Sequence, residues 1–491
     1  MRGPQKKILQ TVMKRLLWLF FFCTALMVSV AQQPAIEFSS SDTALQTAFY
    51  RAKEMALFYK GRPSDPVGPW YEAALPSRNA FCIRDVSHQS IAAEVLGLHA
   101  ANKNMLTQFV SNISESKDWC TYWEMNKSGK PAPEDYRNDT AFWYNLNANF
   151  ELIYTCWRMY LWTGDRTYIS NPLFKRFFDI SVNEYIDRWV LQADSLLTRP
   201  AHPNAPVPYN SNDYFHSCRG IPSYFESVTD MRMSADLVAA IACALKCYAA
   251  IATLQGDKKT AARYQEKAAI YRRHLEQQWW NKETQVYQNF FTNANTFGKG
   301  EGETFLLWYD VLTDSSRIKS TIRYLLNNPT NVENLSYLPY QLCRYGYAEN
   351  AYRYILLLTK PETKRREYPE VSFGVMEGIV QGIMGIDADA RFNRVSTIYN
   401  SPSGHTAELR NLSLLSSLIR IKHWERGSSF TNNGTKTIYW RAAFHGSIPY
   451  VDVNGKRMKT AFQQDQLNNA QSSIVVAVLP GNTITVQAKD E

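Results

Sequence analysis

Three stretches of the chain concentrate side chains able to move protons. The first, Tyr224 to Ile241, reads YFESVTDMRMSADLVAAI and sets Glu226, Asp230 and Asp236 in a polar lead-in to an apolar helix. Acids there can serve the helix, because a carboxyl caps its first amides and complements its dipole. They can also serve a cleft, as a carboxyl held at its mouth. The second stretch, TKPETKRREYPEVSFGVMEGIV, offers Glu362, Glu367 and Glu370. Glu370 lies among Tyr368, Pro369, Val371 and Phe373, away from a solvated face, whereas Glu367 follows Lys364, Arg365 and Arg366 and has cations to pair with. The third, GPWYEAALPSRNAFCIRDVSHQ, brings Trp70, Tyr71, Glu72, Arg78, Arg84, Asp85 and His88 within about twenty residues, short enough for one loop face. Aromatic rings mixed with acids and guanidiniums suit hydroxyl and carboxylate recognition; a salt-bridged loop is the structural alternative. Trp143, Tyr144 and Asn145 in NDTAFWYNLNANF offer a stacking surface, with core packing as the alternative.

These residues need elements to hold them. Up to about residue 390 the apolar spacing is helical, and long polar loops separate the helices. It predicts helices over 44–60, 90–99, 104–113, 141–162, 171–191, 233–254 and 258–280. Further ones follow over 303–312, 315–326, 335–344, 348–359 and 373–386. Consecutive pairs with alternately short and long connections suggest an (α/α)6 toroid, with an α-solenoid as competitor. The long loops before residues 90, 141, 233, 303 and 373 carry most of the unusual residues, which favours a closed toroid with its loops gathered on one face. After Asp389 the segments become short, β-branched and aromatic, divided by turns such as NNG and PGN, and VDVNGK reads as a tight hairpin. The fold class is therefore mainly α, with a toroid over 32–390 and a C-terminal β-sandwich over 391–491.

Totals narrow the chemistry. MRGPQKKILQTVMKR is basic and acid-free, LLWLFFFCTALMVSV is apolar, and Ala31 follows; together they read as a secretory signal over 1–31. The apolar run is shorter than the ~20 residues of a membrane span, so no stable membrane insertion is expected after cleavage, and the product is secreted or periplasmic. Removing that segment takes away five basic residues and lowers the formal net charge from +9 to +4. No basic run interleaved with aromatics stands out, which leaves nucleic acid without support as a partner. The seven cysteines beyond the signal read as buried thiols, with a disulfide or two as the alternative. Neither a C-x-x-C pair nor H-E-x-x-H occurs, so no metal is expected. The 13 Trp, 29 Tyr and 24 Phe fit large cores or a sugar cleft equally well.

A resemblance sharpens the picture. Glu226-Ser227-Val228-Thr229-Asp230, followed by Asp236-Leu237-Val238-Ala239, resembles the E-S-G-x-D element and D-L-x-A helix of the trehalase-like and family 63 glycoside hydrolases, six-hairpin toroid enzymes. QQWWNKETQVYQNF, FCIRDVSHQSIAAEVLGL and FLLWYDVLTDSSRIKSTIRYL resemble further passages in the same order, across residues 80–385. Val228 stands where those families have glycine, and RDVSH where they have W-D-S-Y-F. The resemblance implies an inverting glycosidase that needs no cofactor. In such an enzyme a protonated carboxyl acts on the leaving oxygen while a carboxylate across the ring activates water. It places Asp230 as the acid, the base in the loop entering the last helix, and Asp85 on the terminal sugar. The apolar flank selects Glu370 as that base, while REYPEV resembles the families' E-K-Y-D stretch and keeps Glu367 second. Arg84, Glu72, Trp70, His88, Trp143, Tyr144, Asn145 and Glu226 complete the expected substrate contacts, and the expected partner is an oligosaccharide. The rival readings are a glycan-binding protein on a degenerate toroid and a polysaccharide lyase.

Overall fold

Helices begin where helical apolar spacing meets a capping side chain. In the computed structural model, Asp42 accepts from the amides of Ala44 and Leu45, both at 3.0 Å, to start Thr43–Phe58. Asp257 starts Lys258–Gln278, Asp314 starts Ser315–Asn327, and the Ser234 hydroxyl accepts from Leu237 at 3.1 Å to start Ala235–Leu254. Each such cap contributes about 1 kcal/mol. The described residues are 34–205, 208–226, 228, 230–328, 330–402 and 404–489; the expected signal segment, residues 1–31, lies outside them. Of the unit Met1–Ala35 only residues 34 and 35 are described, and the elements below belong to the unit Ile36–Glu491.

Ala235–Leu254 is apolar enough to cross a membrane by composition, yet Asn147–Thr163 and Lys258–Gln278 pack on it and most of its residues are buried. The first helix among the described residues, Thr43–Phe58, packs against Ala348–Thr359 and Pro369–Glu377 near the end of the helical part. All seven cysteines among the described residues are free and buried.

Several of the expected helices differ from what the spacing predicts. The spans 90–99 and 104–113 are Ile83–Val95 and His99–Ser111, 303–312 stops at Trp308, and 335–344 falls in two, Val332–Ser336 and Leu338–Arg344. The span 141–162 opens as two short strands and becomes helical only from Asn147, because Tyr144–Asn145 pairs with Arg219–Ile221. The span 171–191 breaks at Asn183 into Pro172–Val182 and Glu184–Arg188. The last helix starts four residues early, at Pro369, which suits a first-turn position, so Glu370 stands in a helix rather than in the loop before it. That helix runs on as a π-helical turn, Gly378–Ile383. Its glycines allow close contact: a Cβ on Gly374 would lie 2.4 Å from the Ser336 carbonyl oxygen, and one on Gly378 2.6 Å from the Pro339 Cβ. Gly374→Ala is therefore expected to cost about 1–3 kcal/mol as overpacking. It should also displace Glu370, lowering activity beyond the fall in chemical-denaturation stability.

The β-rich part holds two sheets. Seven strands run in the order Glu37–Ser40, Ala407–Leu414, Ser417–Trp424, Gly427–Asn432, Thr483–Ala488, Tyr450–Val453 and Lys456–Lys459. Five others run in the order Ile386–Asp389, Arg394–Ile398, Ile438–His445, Ala470–Val478 and Ala461–Gln464. Their buried faces meet, with Phe430 stacked on Trp440 at 5.5 Å between ring centroids. The expected hairpin at VDVNGK is the Tyr450–Val453 and Lys456–Lys459 pair. Two strands lie outside the expected range 391–491: Ile386–Asp389, and Glu37–Ser40 from the other end of the chain.

Candidate functional site

Several helix starts converge on one cleft of about 430 Å³. Asp85 stands in the first turn of Ile83–Val95, Glu370 in the first turn of Pro369–Glu377, and Glu333 in the first turn of Val332–Ser336. Glu226 enters from the loop ahead of the strand Met231–Ser234, and Trp143, Trp123, Tyr214 and Tyr224 supply ring surface.

Most charges in the cleft are already matched. Arg84 donates to Glu226 Oε1 at 3.2 Å, and Asn145 Nδ2 donates to the same oxygen at 2.8 Å. The Arg84 guanidinium is fixed between rings, 4.2 Å from the Tyr224 centroid and 5.0 Å from that of Trp123. Arg78 bridges Glu124 at 2.7 Å and Asp135 at 3.0 Å. Arg365 pairs with Glu333 at 2.9 Å, while Asn331 and Asn334 both donate to Glu301 Oε2. Three cleft carboxyls, Asp85, Glu301 and Glu370, have no ion-pair partner among the described residues, and of these only Glu301 is held by side-chain amides.

Burial pushes the Glu370 carboxyl well above the usual carboxylate range, and the neighbouring charge of Asp85 pushes it further. Asp85 is also raised by burial, with Arg84 and His88 opposing. Two like charges in one site do not both ionise readily, so the proton stays with the more deeply buried Glu370. Glu124 behaves similarly beside Asp135: burial, then the Asp135 charge, push it up to about 8 even with Arg78 in contact.

The cleft gathers five of the expected site residues: Asp85, Arg84, Trp143, Glu226 and Glu370. It does not gather the rest. Asp230, the expected acid, is exposed on the turn into Met231–Ser234, where its carbonyl accepts from the Asn293 amide at 3.1 Å; it is absent from the cleft lining. Glu367 is exposed outside the lining, as is Glu362. Trp70 is buried, its indole donating to Asp65 at 2.6 Å, and Glu72 accepts from the Asn79 amide at 2.8 Å. Tyr144 is buried with its hydroxyl on Asn149 at 2.5 Å, and Asn145 acts from behind by holding Glu226. His88 lies beneath the floor, 4.6 Å from the ring centroids of both Trp308 and Tyr337 and 5.3 Å from that of Phe305. Its expected contact with sugar is therefore replaced by packing under Tyr224.

Glu124, Asp135, Glu333 and Arg365 are cleft residues that the reading by sequence leaves out. Glu124 reaches it because Glu124–Asn126 pairs with Ala80–Cys82, directly ahead of the helix carrying Asp85. Nothing local in WCTYWEMN marks that pairing.

With this geometry in view, the chain can be compared with known proteins. Residues 210–340 match the family model "Trehalase". That span supplies Glu226, Glu301 and Glu333 to the cleft, whereas Asp85 and Glu370 lie outside it. The structure superposes on an α-L-rhamnosidase from Dictyoglumus thermophilum with a TM-score of 0.57 at 13% identity, over 93% of this chain and 51% of that one. The fold is shared with glycosidases. A GH78 family rhamnosidase of Bacillus sp. GL1 gives 0.55 at 13% identity, over 82% of this chain and 40% of that one. A putative kojibiose phosphorylase from the human microbiome gives 0.51 at 11% identity, over 96% and 73%. The chain thus spans about half the length of the rhamnosidases that share its glycosidase fold, or less. No curated protein matches it by sequence.

Proposed function

We propose that the protein is an exported glycoside hydrolase that cleaves glycosidic bonds in oligosaccharides by an inverting mechanism, on a helical part closed as an (α/α)6 toroid. One observation carries the catalytic reading: in a cleft whose other acids are held by a cation or by side-chain amides, Asp85 and Glu370 have neither. Packing of Thr43–Phe58, the first helix among the described residues, on Pro369–Glu377 supports the closed toroid.

Glu370 holds the proton that burial keeps on it and delivers it to the glycosidic oxygen as the bond to the anomeric carbon breaks. Glu226 is the base. Arg84 and Asn145 occupy its Oε1, which leaves Oε2 to take a proton from water. That water attacks the anomeric carbon from the opposite face, and the product is inverted; this geometry requires the two carboxyls ~6.5–9.5 Å apart. Asp85 holds a sugar hydroxyl and keeps Glu370 protonated. Relative to the expectation from sequence, Glu370 changes from base to acid and Glu226 replaces Asp230 in the pair. A lyase or a phosphorolytic enzyme needs a cation free for a uronate or phosphate; Arg78, Arg84 and Arg365 are each already engaged by an acid.

The test is a glycan panel followed by NMR of the anomeric protons. Inverted product from the parent is expected, lost in Glu370→Gln and Glu226→Gln. Asp230→Asn is expected to stay within about twofold of the parent, as an exposed substitution outside the cleft does. Loss of cleavage in Asp230→Asn would return the acid to Asp230. Binding without cleavage across the panel would favour a glycan-binding protein.

A further inference from the structure

Two of the helices that open the cleft with their N-terminal ends, Ile83–Val95 and the run from Pro369, reach a second cavity toward their other ends, through Ile91 and Gln381. Gln381 lies in the same helical run as Glu370, eleven residues further on, or about 16 Å at the ordinary helical rise. It lines both a cavity of about 930 Å³ and an adjoining one of about 330 Å³. The two also share Tyr340, Arg344 and Asp387, and so form one continuous groove between the helical part and the five-stranded sheet.

The groove differs from the cleft in charge. Its basic side chains are Arg158, Lys246, Arg344, Arg391 and Arg441, against the acids Asp310, Asp387 and Asp465. In the cleft, acids outnumber guanidiniums and all three guanidiniums are paired. In the groove, Arg344 and Lys246 pair with Asp310, Arg158 with Glu377, and Arg391 with Asp389. Arg441 has neither an ion pair nor a side-chain hydrogen bond among the described residues, and its Nη2 is buried without a partner. It projects from the middle of Ile438–His445 beside Ser396, with Asn469 and Gln471 also on the groove wall. Arg158, itself buried, has an unpartnered Nη1 beside Tyr154 and Tyr340, whose rings line or adjoin the same groove.

A half-buried guanidinium with no partner is costly unless an anion completes it. Planar amides and rings around it fit hydroxyls and the apolar faces of sugars. We propose that this groove is a second binding site, separate from the cleft, for an acidic oligosaccharide whose carboxylate or sulfate group seats on Arg441. The proposal does not depend on the catalytic reading, because it concerns binding at the far end of the helical part.

The test is calorimetric titration of the intact protein with three probes: hexagalacturonate, a sulfated galactan hexasaccharide and maltohexaose. At least one acidic probe should bind, with maltohexaose at least about tenfold weaker, as loss of a charge-assisted hydrogen bond entails. Which acidic probe binds identifies the anion. Arg441→Gln should weaken that binding by about tenfold or more without lowering Tm, since it removes a half-buried cation that has no partner. Glu370→Gln should leave it unchanged. Binding that survives Arg441→Gln, binding of maltohexaose as tight as that of the acidic probes, or binding of neither acidic probe would each overturn the assignment.

Discussion

Glu370→Gln is expected to lower kcat by about 10²–10⁴-fold with a much smaller change in KM, the loss that follows removal of a positioned general acid. The pH profile is the more diagnostic result. Activity requires the protonated carboxyl, so it should fall as pH rises through the raised pKa of Glu370. Asp85, when ionised, disfavours the Glu370 anion. Asp85→Asn removes that charge, lets Glu370 lose its proton at lower pH and moves the alkaline limb of the profile toward acid. A limb that stays in place would separate Glu370 from the acid role. Stability carries the same sign. A carboxyl whose folded pKa is raised binds its proton more tightly in the folded state. Its contribution is fully present below the ordinary carboxylate range and is lost as pH rises through the folded pKa. Glu370→Gln should therefore flatten the decline of Tm over that window.

The largest effect on stability is expected at Glu377→Ala. Glu377 and Arg158 are both buried, and Arg158 Nη2 donates to Glu377 Oε1 and, at 3.0 Å, to Gln381 Oε1. Removing the carboxylate leaves a guanidinium among Tyr154, Trp308 and Tyr340 with only an amide oxygen as partner. Breaking a buried pair in this way costs about 3–5 kcal/mol, measurable by urea denaturation. The paired replacement Arg158→Met with Glu377→Leu should recover most of the loss, because it removes both desolvated charges together. A loss below about 1 kcal/mol for Glu377→Ala would mean that solvent reaches the pair. Since Glu377 closes the helix that Glu370 opens, the single variant should also lower kcat.

Much of the architecture is legible in the sequence because it is written locally. Ala348–Thr359 follows its apolar spacing residue for residue, and the change of texture near residue 390 marks the β-rich part within a few residues. Pro369 at a helix start, with apolar neighbours around Glu370, suffices to point that acid inward. What is not legible depends on partners distant in sequence. Motif likeness singles out Asp230 in the lead-in to Ala235–Leu254, yet only the path of that loop decides which of its acids faces the cleft, and Glu226 does. Short strands such as Ala80–Cys82 and Met231–Ser234 have too few residues to show an alternation. Arg78 reads as a loop cation until Glu124 and Asp135 arrive from 46 and 57 residues away.

The strand Glu37–Ser40 has a kinetic consequence. Its sheet partner is Ala407–Leu414, and Ser40 donates to a carbonyl 366 residues later. Closing a loop of that size costs about 5 kcal/mol beyond a fixed constant, and no part of it is recovered until nearly the whole chain has been made. During synthesis this strand, the first among the described residues, must wait, unpaired, for a partner made more than 360 residues later. Helices such as Ala235–Leu254 and Lys258–Gln278 have close partners and can pack in the interval, whereas Thr43–Phe58 waits, like the strand before it, for partners beyond residue 347. Joining these distant segments is the final act of folding and the slowest. Any delay between the appearance of the helical part and that of the β-rich part leaves Glu37–Ser40 as an unpaired strand. Such a strand invites pairing with another molecule. Dilution during refolding should therefore raise the yield of active protein more than any change in temperature.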